Sequence, residues 1–207
     1  GSELGAMYAE MFGDNVRALV LDGAVHPGLT EPEFRESQFS AFQEAFENLA
    51  AQCATDPDCV LGTDPAAASE VFQGLVEELA EEPLPTSLGR DLTSEDVVHT
   101  VTSLLLGPAT WPDLIDALTD VAAGDGDAML TSRDNTFGRG PDGRYGAGLN
   151  VDANLAIRCM DNPRTQQEQD ALLAHARDVA PFMGIAVEQS VYECAGWPEP
   201  VSRELPW

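Results

Sequence analysis

The first 25 residues, GSELGAMYAEMFGDNVRALVLDGAV, carry two hydrophobic patterns in succession. Leu4, Met7, Tyr8 and Met11 recur at helical spacing, while Gly5, Ala6 and Ala9 keep one face small. Gly13-Asp14-Asn15 breaks that helix. Val16 to Leu21 then form a short, almost wholly apolar run with one arginine, closed by Asp22-Gly23. The pattern predicts a helix, a tight turn, a buried strand and a loop.

Beyond that strand the pattern is helical, and capping chemistry marks the helix starts. Thr30 with Glu33, Thr93 with Asp96, Thr110 with Asp113 and Thr165 with Glu168 each set an acid three residues after a threonine. Asp64-Pro65 supplies a cap followed by proline at the first helical position. Apolar stripes follow these starts. Phe39, Phe42, Phe46 and Leu49 form one, and Val71, Phe72, Leu75, Val76 and Leu79 a second. Val97, Val98, Val101, Leu104 and Leu105 form a third; Trp111, Leu114, Ile115, Leu118 and Val121 form a fourth. Stripes of this kind predict a shared core rather than a cofactor box. A glycine-rich stretch, Phe137 to Gly148, separates them from a helix around Asn150 to Ile157 and another from Thr165 to about Val179.

Composition narrows the function classes. The chain has 207 residues, 43% of them hydrophobic, which is enough for one large domain or two small ones. No segment approaches the roughly 18 apolar residues of a membrane span. The net charge is -26, and all ten cations are arginine. Such a surface repels nucleic acid and anionic membrane, so neither is an expected partner. The acidity fits a solubilising surface first, and attraction of cationic ligands such as peptide amines second.

The four cysteines say more. Cys53 and Cys59 bracket Ala54-Thr55-Asp56-Pro57-Asp58, where a proline between two aspartates favours a turn. Cys159 and Cys194 lie either side of a helical segment. An even count with one close pair fits two disulfides, Cys53–Cys59 and Cys159–Cys194, in an exported protein. A zinc site would want C-x2-4-C spacing, which neither pair shows. Free thiols fit poorly with Cys59 in a polar loop.

A helix and strand followed by a helical block is the pattern of an α/β protein carrying a cap, and the motifs support a family. The opening stretch resembles the segment after the nucleophile in the α/β-hydrolase peptidases of the tripeptidyl aminopeptidase and proline iminopeptidase group. There a G-x-S-Y-G elbow is followed by T-x-L-G-A, a helix, and a strand ending L-V-L-D-G-A. Gly1 matches the last glycine of the elbow, Ser2 stands where threonine is frequent, and Leu4-Gly5-Ala6 matches directly. The likeness continues through Cys53-Ala-Thr-Asp-Pro-Asp-Cys59, Leu92-Thr93, Ala109-Thr-Trp-Pro112, Ala156-Ile-Arg-Cys-Met-Asp161 and Cys194-Ala-Gly-Trp-Pro198. These look like its secreted actinobacterial members. The resemblance implies an α/β fold class: residues 1–29 as a fragment of the hydrolase core, 30–198 as a helical cap, and 199–207 as a return toward the core.

The same resemblance implies a serine aminopeptidase acting on peptides with a free N-terminus, secreted and without a cofactor. Its nucleophile falls two positions before Gly1, and its acid and histidine follow the cap, so no catalytic residue is expected here and the chain alone is expected to be inactive. Ser2 does not replace the nucleophile, since Leu4 stands where G-x-S-x-G needs glycine. A triad of Ser2, Asp22 and His26 is correspondingly forced. His99 and His175 read as solvated helix positions, and no H-E-x-x-H or H-x-H spacing suggests a metal. Two carboxylates are candidates for pairing with a substrate ammonium. Asp22 ends the strand at the edge that faces the ligand crevice in α/β sheets, and Asp161 lies in a disulfide-pinned loop. Either can also be a plain turn carboxylate. An esterase or lipase of the same fold, or a non-catalytic extracellular binding module, are the other classes these residues fit.

Overall fold

A computed structural model describes residues 1–26, 28–146, 151–161 and 166–184, together with residues 191, 192, 194 and 197. Its helices are α1 (Ser2–Met11), α2 (Glu31–Cys53), α3 (Ala68–Glu81), α4 (Ser94–Leu104), α5 (Trp111–Ala122), α6 (Asp127–Phe137), α7 (Val151–Asp161) and α8 (Gln166–Val179). Short 3-10 turns at Gly13–Asn15, Pro65–Ala67, Pro108–Thr110 and Pro181–Met183 join them. No helix among the described residues is long and apolar enough to cross a membrane.

The predicted strand does not form. Val16 is extended and Arg17 lies in a bend, but among the described residues the run from Val16 to Leu21 has no β partner, and the only β pairing is two isolated bridges, Leu84–Leu92 and Arg139–Tyr145. The side-chain alternation of a strand is nevertheless present. Leu19 and Leu21 turn toward α1, where they come so close that a Cβ on Gly5 would lie 3.1 Å from Leu21 Cδ2 and 3.8 Å from Leu19 Cδ1. Val20, between them, is 92% exposed. Pattern alone sets the alternation, whereas a strand needs a second backbone to complete its hydrogen bonds.

The helical block has its own core. Phe46 on α2, Phe72 on α3 and Phe182 in the last 3-10 turn are wholly buried, with Phe46 and Phe182 stacked at 4.6 Å between centroids. Phe72 closes the trio at 5.4 Å from Phe46 and 6.2 Å from Phe182. Leu49, Val76, Val97, Val101, Leu114, Leu118, Met129 and Leu130 continue this core through α2 to α6. Three predicted stripes are buried or half-buried throughout; in the second, Val71 is exposed. Two glutamine contacts fix the turn after α8: buried Gln43 accepts the Phe182 N–H on its Oε1 at 3.3 Å, and half-buried Gln73 donates from Nε2 to the Phe182 carbonyl.

Two of the threonine caps form as full capping boxes. The Glu33 carboxylate accepts the Thr30 N–H at 2.8 Å at the start of α2, and Asp96 and Thr93 exchange bonds at the start of α4. Asp64 accepts the Ala66 N–H at 3.0 Å. Thr110 departs from the prediction. The chain enters α5 through a 3-10 turn that leaves Thr110 in helical dihedrals, so its hydroxyl donates to the Leu104 and Gly107 carbonyls instead. Thr165 lies outside the described residues. Helix α6 is the element the pattern did not predict, because only Met129 and Leu130 of its eleven residues are buried.

Both disulfides are present, and no described cysteine is free. Cys53–Cys59 clips the end of α2 to the following turn, and Cys159–Cys194 ties α7 to the segment beyond α8.

Candidate functional site

The sequence places its candidate chemistry around the amino end of α1, and the fold brings part of it together. The extended run travels back along α1, so the residues after Leu21 return to the helix start. The Ser2 hydroxyl accepts the Val25 N–H at 3.2 Å and pins that return. Gly23, at φ 62°, makes the bend through a left-handed conformation that a side chain would strain.

Asp22 stands in this bend, exposed, and among the described residues it makes no hydrogen bond or ion pair. His26 is also exposed, and its Nδ1 accepts the Gly28 N–H at 3.0 Å. Ser2, Asp22 and His26 are therefore close in the chain path but are not linked as a relay. The serine oxygen and the imidazole nitrogen each serve a backbone donor, and neither serves the other. Asp161 is the last residue of α7, and its side chain lies outside the described residues. Among the described residues no group of three or more metal-ligating side chains converges.

The other two histidines divide. His175 on α8 is exposed as expected, with Nε2 at 3.1 Å from Glu36 Oε1 on α2. His99 is not solvated surface. It is half-buried on α4 with its ring 6.2 Å from that of Phe137, and burial, above all, holds its pKa below the ordinary histidine value.

Two surface clefts and one ion-pair cluster were not anticipated. A cleft of about 620 Å³ lies between the carboxyl ends of α3 and α5, with Glu78, Glu81 and Glu82 at its rim and Leu79, Leu84 and Val121 in its wall. A second, about 740 Å³, runs between α2 and α3 past Glu47 and Glu70. Between α4 and α6, Arg90, Arg133 and Arg139 converge on Asp96 and Asp134. The signal for that cluster is in the sequence: four of ten arginines fall between residues 90 and 144 of a strongly acidic chain.

Comparison with known proteins accounts for the first part of the chain and extends beyond it. The profile of the alpha/beta hydrolase fold matches residues 1–118. The serine protease Hip1 of Mycobacterium tuberculosis (strain H37Rv) is 36% identical over 217 residues, covering 99% of this chain and 41% of that protein. Carboxylesterase B of the same organism is 37% identical over 200 residues, covering 93% of this chain and 38% of its own length. The putative hydrolase YuaR of Escherichia coli (strain K12) is 29% identical over 212 residues, with 99% and 41% covered. The chain thus spans about two fifths of the length of the curated relatives it matches. With the profile matching just over half of its residues and the motif order running from the α1 segment onward, the chain belongs to the alpha/beta hydrolase fold family.

Proposed function

We propose that this chain is the cap-bearing portion of an exported serine hydrolase that removes short peptides or proline from peptide N-termini. One observation carries the reading: α1 and the extended run pack on each other through Gly5 yet leave a broad apolar surface open, while the helices from residue 31 onward bury a core of their own. Leu4 is 73% exposed, and Met7, Tyr8, Met11 and Val20 also face outward. This is what one helix–strand step of a parallel sheet presents when its neighbouring strands lie elsewhere. Residues 1–29 are accordingly read as hydrolase core, 30–198 as cap and 199–207 as the return.

In this reading Asp22, at the carboxyl end of the run and beside the start of α1, faces the ligand crevice. It and Asp161 pair with the α-ammonium of the substrate, which favours peptides over esters. The nucleophile, its base and its orienting acid are contributed from outside residues 1–207, so the chain by itself is inactive. Two disulfides support an oxidising compartment.

The test has two halves. The chain as it stands is incubated with a serine-reactive fluorophosphonate and a chromogenic tripeptide, and neither labelling nor turnover is expected. Labelling at Ser2 overturns the missing-triad reading. The full-length protein is then assayed on a free-amine tripeptide, its N-acetylated form and a short-chain ester. Preference for the free amine supports aminopeptidase action. The carboxylesterase relative is the specific reason to include the ester, and faster ester turnover assigns the cap to an esterase instead.

A further inference from the structure

We propose that the groove along α3 is a docking site for a basic peptide segment of another protein, an arginine flanked by apolar residues. The groove arises from the way α3 ends. Pro83 has no N–H and keeps Glu82 out of helical dihedrals, at φ -137° and ψ 96°, so the helix stops at Glu81. The Leu79 carbonyl thereby loses its helical donor, and the Leu84 N–H, which would serve Ala80, bonds to the Leu92 carbonyl instead. Among the described residues neither the Leu79 nor the Ala80 carbonyl accepts a hydrogen bond. At this end of α3 opens the cleft of about 620 Å³, and a hollow of about 200 Å³ continues it. Leu75, Glu78 and Ala122 line both, so the two form one groove.

The floor is apolar by helical spacing. Val71, Leu75 and Leu79 lie four residues apart along one line of α3. Val71 is 43% exposed and Leu75 half-buried, so this part of the stripe meets water rather than another helix. Buried Leu61 and Phe72 line the small hollow, and Leu84 and Val121 wall the larger cleft. A Cβ on Gly74, at the edge of the hollow, would meet nothing within 4 Å.

Around this floor the charge has one sign. Glu70, Glu77, Glu78, Glu81 and Glu82 come from α3 and its end, and Asp113, Asp116, Asp120 and Asp125 from α5 and the turn after it. All are exposed. Between residues 36 and 132 the only basic residues are Arg90 and His99. Arg90 is engaged by Asp96 and Asp134, and His99 is half-buried near Phe137. The carboxylates of Glu78, Glu81 and Glu82 have no hydrogen-bond or ion-pair partner among the described residues. They stand at the negative pole of the α3 dipole, and neither α3 nor α5 has a basic residue in its last turn. Like charges at that pole disfavour the helix alone and favour an incoming cation.

That combination selects the occupant. A metal ion needs several carboxylates around one point, and among the described residues no three ligating side chains converge. A second copy of this chain carries the same net charge of -26 and is repelled. An arginine meets both features of the cleft. Its stem lies on the wall of Leu79, Leu84 and Val121, and its five N–H donors suit separated carboxylates and open carbonyls. The small hollow takes the apolar neighbour. The groove is built from α3 and α5 and needs neither Asp22 nor Asp161, so its test stands apart from that of the hydrolase reading.

The experiment is an NMR titration of the backbone amides of the whole chain with acetyl-Leu-Arg-Leu-amide, in about 0.15 M sodium chloride. Saturable shifts confined to residues 60–61, 71–85 and 120–124 are expected. The same peptide with citrulline in place of arginine is expected to bind roughly tenfold more weakly. The triple variant Glu78→Gln, Glu81→Gln, Glu82→Gln is expected to lose roughly tenfold in affinity. A control triple, Glu3→Gln, Glu10→Gln, Asp14→Asn, removes as much charge from α1 and its turn and should change affinity less than about twofold. Gly74→Leu fills the hollow in a helix that accommodates leucine better than glycine, and it should weaken the peptide as well. No saturable shift, shifts that map elsewhere, equal binding of the citrulline peptide, equal losses for the two triple variants, or no loss for Gly74→Leu would each overturn the proposal.

Discussion

Phe46 and Phe182 stack nearly parallel, 9° apart, although one sits in the middle of α2 and the other in the turn that follows α8. The stack closes the helical block on itself. Phe182→Ala is expected to destabilise the fold by about 3–5 kcal/mol, and Phe182→Leu by less, because the cavity left is smaller. Urea denaturation followed by circular dichroism measures both, and a loss below about 1 kcal/mol for the alanine variant would show that this contact is peripheral.

The two kinds of threonine start should separate on mutation. Thr93→Ala removes a real cap and is expected to cost about 1 kcal/mol. Asp113→Ala is expected to be nearly silent, because Thr110 does not bond to it and no box exists there. Equal losses at the two positions would contradict the difference in helix entry.

His99 supplies a pH dependence whose sign is fixed by its burial. Its pKa is depressed in the folded protein, so between that value and the ordinary histidine range near about 6.5 the unfolded chain holds more protons. The stability from a neutral His99 is therefore complete above about pH 6.5 and declines as pH falls below it. Chemical denaturation between pH 7.5 and pH 5.5 should show this decline, and His99→Gln should flatten it. A wild-type profile that rises toward acid pH would refute the assignment.

Reduction should affect the two disulfides unequally. The residues joined by Cys159–Cys194 are 35 apart in sequence and those of Cys53–Cys59 only 6. In the chain-entropy description the larger loop contributes about 4 kcal/mol and the smaller about 2. Paired serine variants, compared by thermal unfolding, test the order.

The opening segment offers a test that depends on context. In this chain Val20→Asp is expected to change stability by less than about 0.5 kcal/mol, since Val20 is in water. Gly5→Val is expected to loosen α1 from the run by overpacking Leu19 and Leu21, at about 1–3 kcal/mol. In the full-length protein the first substitution should become costly. If it stays silent there, residues 16–21 are not a sheet strand.

The reasons for what was legible differ from element to element. Helices α2 to α5 were readable because their burial is periodic and two of their starts announce themselves chemically. Helix α6 was not, because polar contacts at both ends hold it. Asp127 accepts from Ser87 N at 2.8 Å, and Asp134 and Arg133 are tied into the ion-pair cluster. No hydrophobic period reports such contacts. Asp22 was found at the bend where the sequence put it, but its isolation from Ser2 and His26 depends on which backbone donors those side chains meet, and spacing does not encode that. His99 was misread because the residues one turn away on its own helix, Glu95, Asp96, Thr102 and Ser103, are polar, while α6 brings the Phe137 ring within 6.2 Å of it.

The run from Val16 to Leu21 is strand-like in its alternation yet unladdered, and that has a colloidal consequence. Open backbone edges beside exposed leucine and valine invite pairing with a second molecule. In dilute buffer the strong net negative charge keeps such molecules apart. Added salt shortens the reach of that repulsion, to about 10 Å at 0.1 M and about 3 Å at 1 M, without touching the edge itself. Solubility of this chain should therefore fall as ionic strength rises, and concentrated salt should turn a clear solution turbid.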